Sequence, residues 1–274
     1  MRIRLGAVAL AVPVCLFAAE YDNTYQKAFP LSGGGERRLI VAVIHGGIRI
    51  TADSGHDVRV KVHEHWSADT PEDLESARRE VILEMKQDGN IVRVELGGPF
   101  RDRWREHRDG PRAKFRHDVE VQVPREIALD LKTVNGGEII AANTAGDWSL
   151  RNVNGGVTME NLSGSGSAET VNGRIKASFA QNPARASLFK TVNGAIDLAF
   201  QPGLNADLRL ETMHGEAYTD FEVSPVASPV TVEKGSDGHR YRIDRAQRIR
   251  IGSGGIEHQI KTLNGSIRIR KYGK

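Results

Sequence analysis

The sequence predicts an all-β protein built from repeated short coils, a parallel β-solenoid with one short helix near its N-terminal part. Three observations carry that prediction. A phrase of the form Thr-Val-Asn-Gly returns between small apolar stretches, its glycines recur at a nearly constant interval, and the flanking residues alternate apolar with polar. The composition agrees, because 29 glycines and only 6% aromatics in 274 residues describe a turn-rich chain with a thin core.

The first residues are of another kind. Arg2 and Arg4 precede an apolar run from Leu5 to Ala19, which has the charge, length and order of a secretory signal and is short for a membrane span. Residues 1–19 are therefore read as a signal peptide and the chain as exported, to the periplasm, the cell envelope or the exterior. Retention as an uncleaved membrane anchor is the alternative, and lipidation at Cys15 is disfavoured because Val14 precedes it where a small residue is needed. Cys15 is the only cysteine, so the cleaved chain has neither disulfide nor thiol chemistry. There are 38 basic and 35 acidic residues, and two of the basic ones are in the signal. No net field then favours a polyanion, and no nucleic-acid partner is expected.

Residues 20–35 read as a linker, and residues 36–124 as a strand-helix-strand part. Leu39-Ile40-Val41-Ala42-Val43, Ile48-Arg49-Ile50 and Val58-Arg59-Val60-Lys61-Val62 alternate with period two between glycine turns, as strands do. A helix follows. Thr70 caps it, Pro71 suits its first position, Glu72 and Asp73 complement its positive end, and Gly89 is expected to close it. Leu74, Ala77, Val81 and Met85 then share one face. After the turn Asp88-Gly89-Asn90 comes the strand Ile91–Leu96. Residues 97–117 form a composition break, read as a long basic loop, before the alternating stretch Val119–Val123 and Pro124.

The regular array occupies residues 125–222. Its complete copies carry Thr133, Asn135 and Gly136, then Thr170, Asn172 and Gly173, then Thr191, Asn193 and Gly194. Variants carry Asn154 and Gly155, Thr212 and Gly215, and further on Thr262, Asn264 and Gly265, with an upstream relative at Val43-Ile44-His45-Gly46. The glycines from Gly136 to Gly215 recur after 19, 18, 21 and 21 residues, with secondary turns between them. Each period thus holds two short strands and two bends. The position four before each Asn is apolar, as at Leu131, Leu150, Ala168 and Phe189; the next is polar, as at Lys132, Arg151, Glu169 and Lys190. The first column points inward and the second outward. In a solenoid, identical residues stack, so threonines and asparagines would form ladders and Glu169, Lys190 and Glu211 would alternate in sign over consecutive coils. The competing fold is an antiparallel β meander, since Asn-Gly is also a strong hairpin turn. A constant coil length favours the solenoid.

The order of an early strand pair, a helix, a strand ending in Val123-Pro124 and then Thr-Val-Asn-Gly-Gly repeats resembles the bacterial "putative adhesin" family of exported β-strand-repeat proteins, whose function is unknown. The resemblance runs from about Leu39 onward. It implies an envelope or extracellular β-repeat domain and supplies no catalytic residues.

Residues 223–274 are less regular, and read as irregular coils in which Arg alternates with apolar residues. Basic surface is the sharpest binding candidate. Arg101, Arg103, Arg105, Arg108, Arg112, Lys114 and Arg116 would hold an anionic glycan or lipid headgroup, Trp104 and Phe115 would stack on sugars, and Arg248, Arg250, Arg268 and Arg270 would extend the site. A solvated loop with polar strand faces is the plainer account of the same residues. His63 and His65 alternate on one strand and form a weak metal candidate without a third ligand, so no metal or other cofactor is expected. Solenoids also host polysaccharide-cleaving enzymes, but Glu138, Asp147, Glu160, Asp197 and Glu216 fall in different columns, and no phosphate loop or nucleophile elbow is present. The expectation is a non-catalytic exported β-repeat protein, adhesin-like or structural. A binding module for anionic glycans or lipids is the alternative, and a polysaccharide-cleaving enzyme the second. Another protein is a further candidate partner, and a bare strand edge at one end would permit self-association.

Overall fold

The computed structural model describes residues 18–99, 112–227, 230–235, 238–243 and 246–273. The signal segment, apart from Ala18 and Ala19, and the centre of the basic loop, with Arg101, Arg103, Trp104, Arg105 and Arg108, lie outside them. No described helix is long and apolar enough to cross a membrane.

Among the described residues the chain is all-β with one short helix. First come β1 (Ala19–Pro30), β2 (Arg38–Ala42), β3 (Ile48–Asp53), β4 (Asp57–Ala68), the helix α1 (Pro71–Glu80), β5 (Ile82–Asp88), β6 (Ile91–Gly97) and β7 (Ala113–Pro124). The array supplies β8 (Ala128–Lys132), β9 (Ile139–Ala142), β10 (Trp148–Arg151), β11 (Val157–Leu162) and β12 (Gly166–Glu169). It continues with β13 (Ile175–Phe179), β14 (Leu188–Lys190), β15 (Ile196–Phe200), β16 (Ala206–His214) and β17 (Ala217–Thr219). Last are β18 (Val223–Pro225), β19 (Val230–Gly235), β20 (Gly238–Ile243), β21 (Gln247–Ile251), β22 (Glu257–Asn264) and β23 (Ile267–Lys271).

Two large sheets result. One has ten strands in the order β1-β4-β7-β3-β9-β11-β13-β15-β23-β17, the other eleven in the order β18-β21-β16-β22-β14-β12-β10-β8-β2-β6-β5; β19 and β20 pair with each other in a two-stranded sheet. Every Asn-Gly bend carries the chain from the eleven-stranded sheet to the ten-stranded one, as between β8 and β9 or β14 and β15. The strands flanking a bend therefore do not pair, which overturns the meander: Asn-Gly here turns a corner rather than closing a hairpin. Strands of successive copies pair parallel and in register, Leu150 with Leu131 and Ala168, Ile175 with Val157 and Ile196.

Parallel pairing is not uniform, and the sheets are mixed. β4 pairs antiparallel with β1 and β7, β5 with β6, and β21 with β16 and β18. The tight turn at Gly89 (φ 55) permits only an antiparallel pair between β5 and β6.

Two expectations change. Residues 20–30 are not linker but most of β1, which pairs along its whole length with β4, Tyr21 opposite Trp66 and Phe29 opposite Val58. The helix begins as expected, with the Thr70 hydroxyl accepting from the Asp73 N–H at 3.1 Å, but it ends at Glu80 and not at Gly89. The run Val81-Ile82-Leu83 turns extended instead, so Met85 lies on β5 while Leu74, Ala77 and Val81 are buried beneath the helix. Arg78 lies 3.5 Å over the Tyr21 ring and ties the helix to β1.

The core lies between the sheets and is lined by the inward columns: Leu131, Leu150, Ala168, Phe189 and Ile260 from one, Ile139, Val157, Ile175, Ile196 and Ile267 from the other. Phe179 stacks on Phe200 at 5.0 Å. Burial of each such side chain contributes about 1.5–3 kcal/mol, and chain flexibility offsets most of that.

The bends explain the phrase residue by residue. Asparagines form the expected ladder, but threonines do not bond to one another. The Thr191 hydroxyl donates to the Gly173 carbonyl of the neighbouring coil at 2.9 Å, as Thr133 does to Gly46, Thr170 to Gly155 and Thr262 to Gly194. Asn152, standing where Thr belongs, donates its amide to Gly137 instead. Glycine is required by crowding: a Cβ on Gly194 would sit 2.0 Å from the Gly173 carbonyl oxygen. In the second copy that stacked position is Gly137, not Gly136, and Gly136 (φ 75) is an added residue in a wider bend. Replacing Thr191 by Val keeps its shape and leaves a buried carbonyl short of a donor, so unfolding in urea should show a loss of about 1 kcal/mol.

Candidate functional site

One feature of the bends escaped the sequence reading. The Val of the phrase points outward in every copy. Val134, Val153, Val171 and Leu263 are 36–40% exposed and Met213 68%, with Ile44 and Val192 half-buried in the same column. Neighbouring strands lie about 4.8 Å apart, so seven apolar side chains form a continuous ridge along one edge of the stack. The signal was present, as a column that is apolar yet adjacent to the inward Thr column, but alternation alone does not mark it as outward.

The asparagine ladder runs beside the ridge. Asn154 Nδ2 donates to Asn135 Oδ1 at 2.6 Å, Asn172 to Asn154 at 2.8 Å, Asn193 to Asn172 at 2.8 Å and Asn264 to Asn193 at 2.7 Å. Each amide has two N–H donors and a two-lone-pair oxygen, so one donor and one acceptor per coil remain for another molecule. His45 takes the Asn position at one end of this row and His214 at the other.

The described members of the basic set are dispersed. Arg112 and Lys114 are exposed at the start of β7, and Arg112 lies 3.9 Å from Asp73. Arg116 is committed to Asp118 and to the Gly136 carbonyl. Burial pushes the Asp118 carboxyl up, but Arg116 and the Gly47 N–H at 2.7 Å outweigh it and hold the group below the ordinary carboxylate range. Phe115 is not a stacking platform, because it is buried against Trp66 at 5.1 Å. Arg248 meets Glu257 at 3.1 Å, Arg250 meets Asp207 at 2.8 Å and Arg270 meets Asp197 at 2.8 Å; Arg268 is exposed on β23. Arg248 and Arg250 belong to β21 in one sheet, Arg268 and Arg270 to β23 in the other, so these four share no face.

His63 and His65 both face outward on β4. Their rings bond to neighbours on β1, His63 Nδ1 with Thr24 at 3.0 Å and His65 Nδ1 with Asp22 at 2.8 Å. The outer face of the same strands holds a cleft of about 550 Å³ lined by Gln26, Arg49, Thr51, Arg59, Lys61, Glu120 and Gln122. Arg59 donates to the neutral Gln122 at 2.9 Å and pairs with Asp53, and Lys61 stands 4.0 Å from Glu120; with Lys27 and Arg49 also in the lining, cations outnumber carboxylates there. Inside, His117 is fully buried with Nε2 at 3.2 Å from Glu64 Oε1, ringed by Trp66, Phe115 and, through Phe115, His45. Burial pushes the Glu64 carboxyl up, and hydrogen bonding to His117 and Trp66 more than reverses it. That pair is enclosed and serves as core.

The array carboxylates stand apart from one another on outer faces: Glu138 is bonded to Thr158, Asp147 to Arg185 and the Ser165 N–H, Asp197 to Arg270 and Glu216 to Tyr218, and Glu160 is exposed on β11. The outward charge column is reordered relative to expectation, because Lys261 stands between Lys190 and Glu211. Its contacts are Arg151 with Glu169 at 3.8 Å and Lys261 with Glu211 at 2.8 Å.

No family model matches the chain, and no curated protein does. Among solved structures, a "putative cell adhesion protein" from Clostridium sporogenes aligns over 92% of this chain and 100% of its own, with a TM-score of 0.50 and 10% identity. A "putative adhesin" from Bacteroides fragilis aligns over 90% of this chain and 97% of its own, with a TM-score of 0.31 and 10% identity. A "putative lipid binding protein" from Parabacteroides distasonis aligns over 91% and 96%, with a TM-score of 0.28 and 11% identity. The first of these likenesses extends over nearly the whole chain, and the resemblance carried by the repeats meets it: this chain has the fold of a protein described as a "putative cell adhesion protein".

Proposed function

We propose that this chain is a non-catalytic, exported β-solenoid module that acts at the bacterial envelope as an adhesin-like or structural surface. The observation that supports it is the edge where the apolar ridge and the asparagine ladder run side by side. A row of identical contacts suits a partner that is itself repetitive, and a ridge with no cleft suits adhesion better than turnover. The separation of the array carboxylates, each bonded to a different partner on an outer face, supports the non-catalytic part of the reading.

The test is binding of the purified chain to intact bacteria and to isolated envelopes, beside a variant carrying Val134→Asp, Val153→Asp and Val171→Asp. These positions are exposed, so the variant should fold, which circular dichroism checks. Retention should fall at least about tenfold, the loss equivalent to about 1.4 kcal/mol. Equal retention of a folded variant would refute the ridge as the adhesive surface.

A second reading keeps the basic loop as a site for anionic glycans or lipid headgroups, favoured by the exposure of Arg112 and Lys114 at its C-terminal side. Its mark is salt sensitivity: Arg103→Ala, Arg105→Ala and Arg108→Ala together should abolish binding that weakens with added salt.

A further inference from the structure

The coils do not stack in sequence order. The asparagine row reads His45, Asn135, Asn154, Asn172, Asn193 and then Asn264, with His214 beyond it. The latest coil in the sequence, β22 with β23, thus lies between two earlier ones. In one sheet it separates β14 from β16, and in the other β15 from β17. Without it each sheet has a gap one strand wide, and the short connection Gln201–Asn205 joins the strands on its two sides.

The inserted coil fits this slot on both sides. Toward the fifth coil, Thr262 donates to the Gly194 carbonyl at 3.0 Å, Gly194 N–H donates to the Asn264 carbonyl at 2.9 Å, and Arg270 pairs with Asp197. Toward the outer coil, Thr212 donates to the Gly265 carbonyl at 2.9 Å and Lys261 pairs with Glu211. It is joined to the preceding strand by Gly252-Ser253-Gly254-Gly255, in which all three glycines have positive φ (59, 75 and 137). Such a segment tolerates more than one path.

We propose that β22 and β23 form an exchangeable coil, and that the slot between Leu188–Phe200 and Ala206–Thr219 is a self-association site that accepts the same coil from a second copy of this chain. Every contact just described is retained when the donor is another copy, since the sequences are identical. The closed and exchanged states then differ mainly in the path of the glycine segment and in the entropy of association, and concentration sets their balance. Reciprocal exchange closes a twofold dimer. One-way exchange leaves a slot and a coil free at opposite ends and extends into a filament.

Full-length chains carrying Cys15→Ser test this. One population carries Asn193→Cys, the other Asn264→Cys, positions paired across parallel neighbouring strands and within disulfide reach. After incubation together in mild urea and oxidation, the disulfide-linked heterodimer should appear and grow with protein concentration. A mixture of Asn135→Cys with Asn154→Cys chains, whose coils follow one another without a gap, should give several-fold less. The double variant Asn193→Cys, Asn264→Cys in one chain should link internally in dilute solution and so suppress exchange into added single-variant chains. Equal yields from the two mixtures would overturn the proposal, as would no heterodimer from the first or no internal link in the double variant.

Discussion

Gly194→Ala is expected to prevent the array from closing. The added Cβ would meet the Gly173 carbonyl oxygen at 2.0 Å and its carbon at 2.6 Å, both backbone atoms of the neighbouring bend. No rotamer relieves a backbone contact, so the coils must separate, and the Asn193–Asn172 and Thr191–Gly173 hydrogen bonds stretch with them. The loss should exceed about 3 kcal/mol, the range of severe overpacking combined with broken hydrogen bonds. Gly203→Ala provides the comparison, because its Cβ would meet nothing within 4 Å; its effect should stay within about 0.5 kcal/mol. Urea unfolding followed by far-ultraviolet circular dichroism measures both. A Gly194→Ala chain as stable as the Gly203→Ala chain would mean that the coils do not approach as described.

Mild acid should weaken the fold chiefly through one imidazole. His258 is buried on β22 beside Phe200, and burial holds its pKa down at about 4, against an ordinary 6.5. Between those values the unfolded chain binds a proton that the folded chain refuses. The contribution is therefore intact above about pH 6.5 and is lost progressively as the pH falls toward 4. Between about pH 7.5 and pH 5 the loss should be about 2 kcal/mol. His45, held down first by burial and then by the charge of His117, adds in the same direction. Asp118 and Glu64 are held below the ordinary carboxylate range and weaken the fold only at lower pH. Urea midpoints at the two pH values should lie much closer together in His258→Leu, with the His45 contribution remaining. If the variant keeps the full dependence, His258 is not the group responsible.

The parts of this fold that repeat were legible, and the parts that depend on distant strands were not. Leu131, Leu150, Ala168 and Phe189 reveal an inward column because alternation is a local property of an extended chain. The Thr70 cap is local too. The helix end was misplaced because Val81 and Met85 keep helical spacing while the chain itself has already turned extended. β1 looked like linker because its inward residues, Tyr21, Asn23 and Phe29, alternate weakly, and its twelve-residue pairing with β4 is reached across the intervening turns. Phe115 read as exposed because it lies in a charged stretch, yet on β7 it takes the inward register with His117. The ridge of Val134, Val153 and Val171 was visible as a repeated letter but not as a surface, since a valine beside an inward threonine is assigned to the core by hydrophobicity alone. Stack order was beyond reach: Asn264 matches the phrase equally well beside any copy.

The place of β22 and β23 also bears on how the chain is made. Synthesis runs from the N-terminus, so Leu188–Phe200 and Ala206–Thr219 exist before Glu257–Lys271 does. Through that interval β14 and β16 in one sheet, and β15 and β17 in the other, face an unfilled gap. Closure of both sheets therefore waits on the arrival of Glu257–Lys271, the last strands in the sequence order. A chain lacking β22 and β23 would present open strand edges in both sheets, the kind of surface from which aggregation starts.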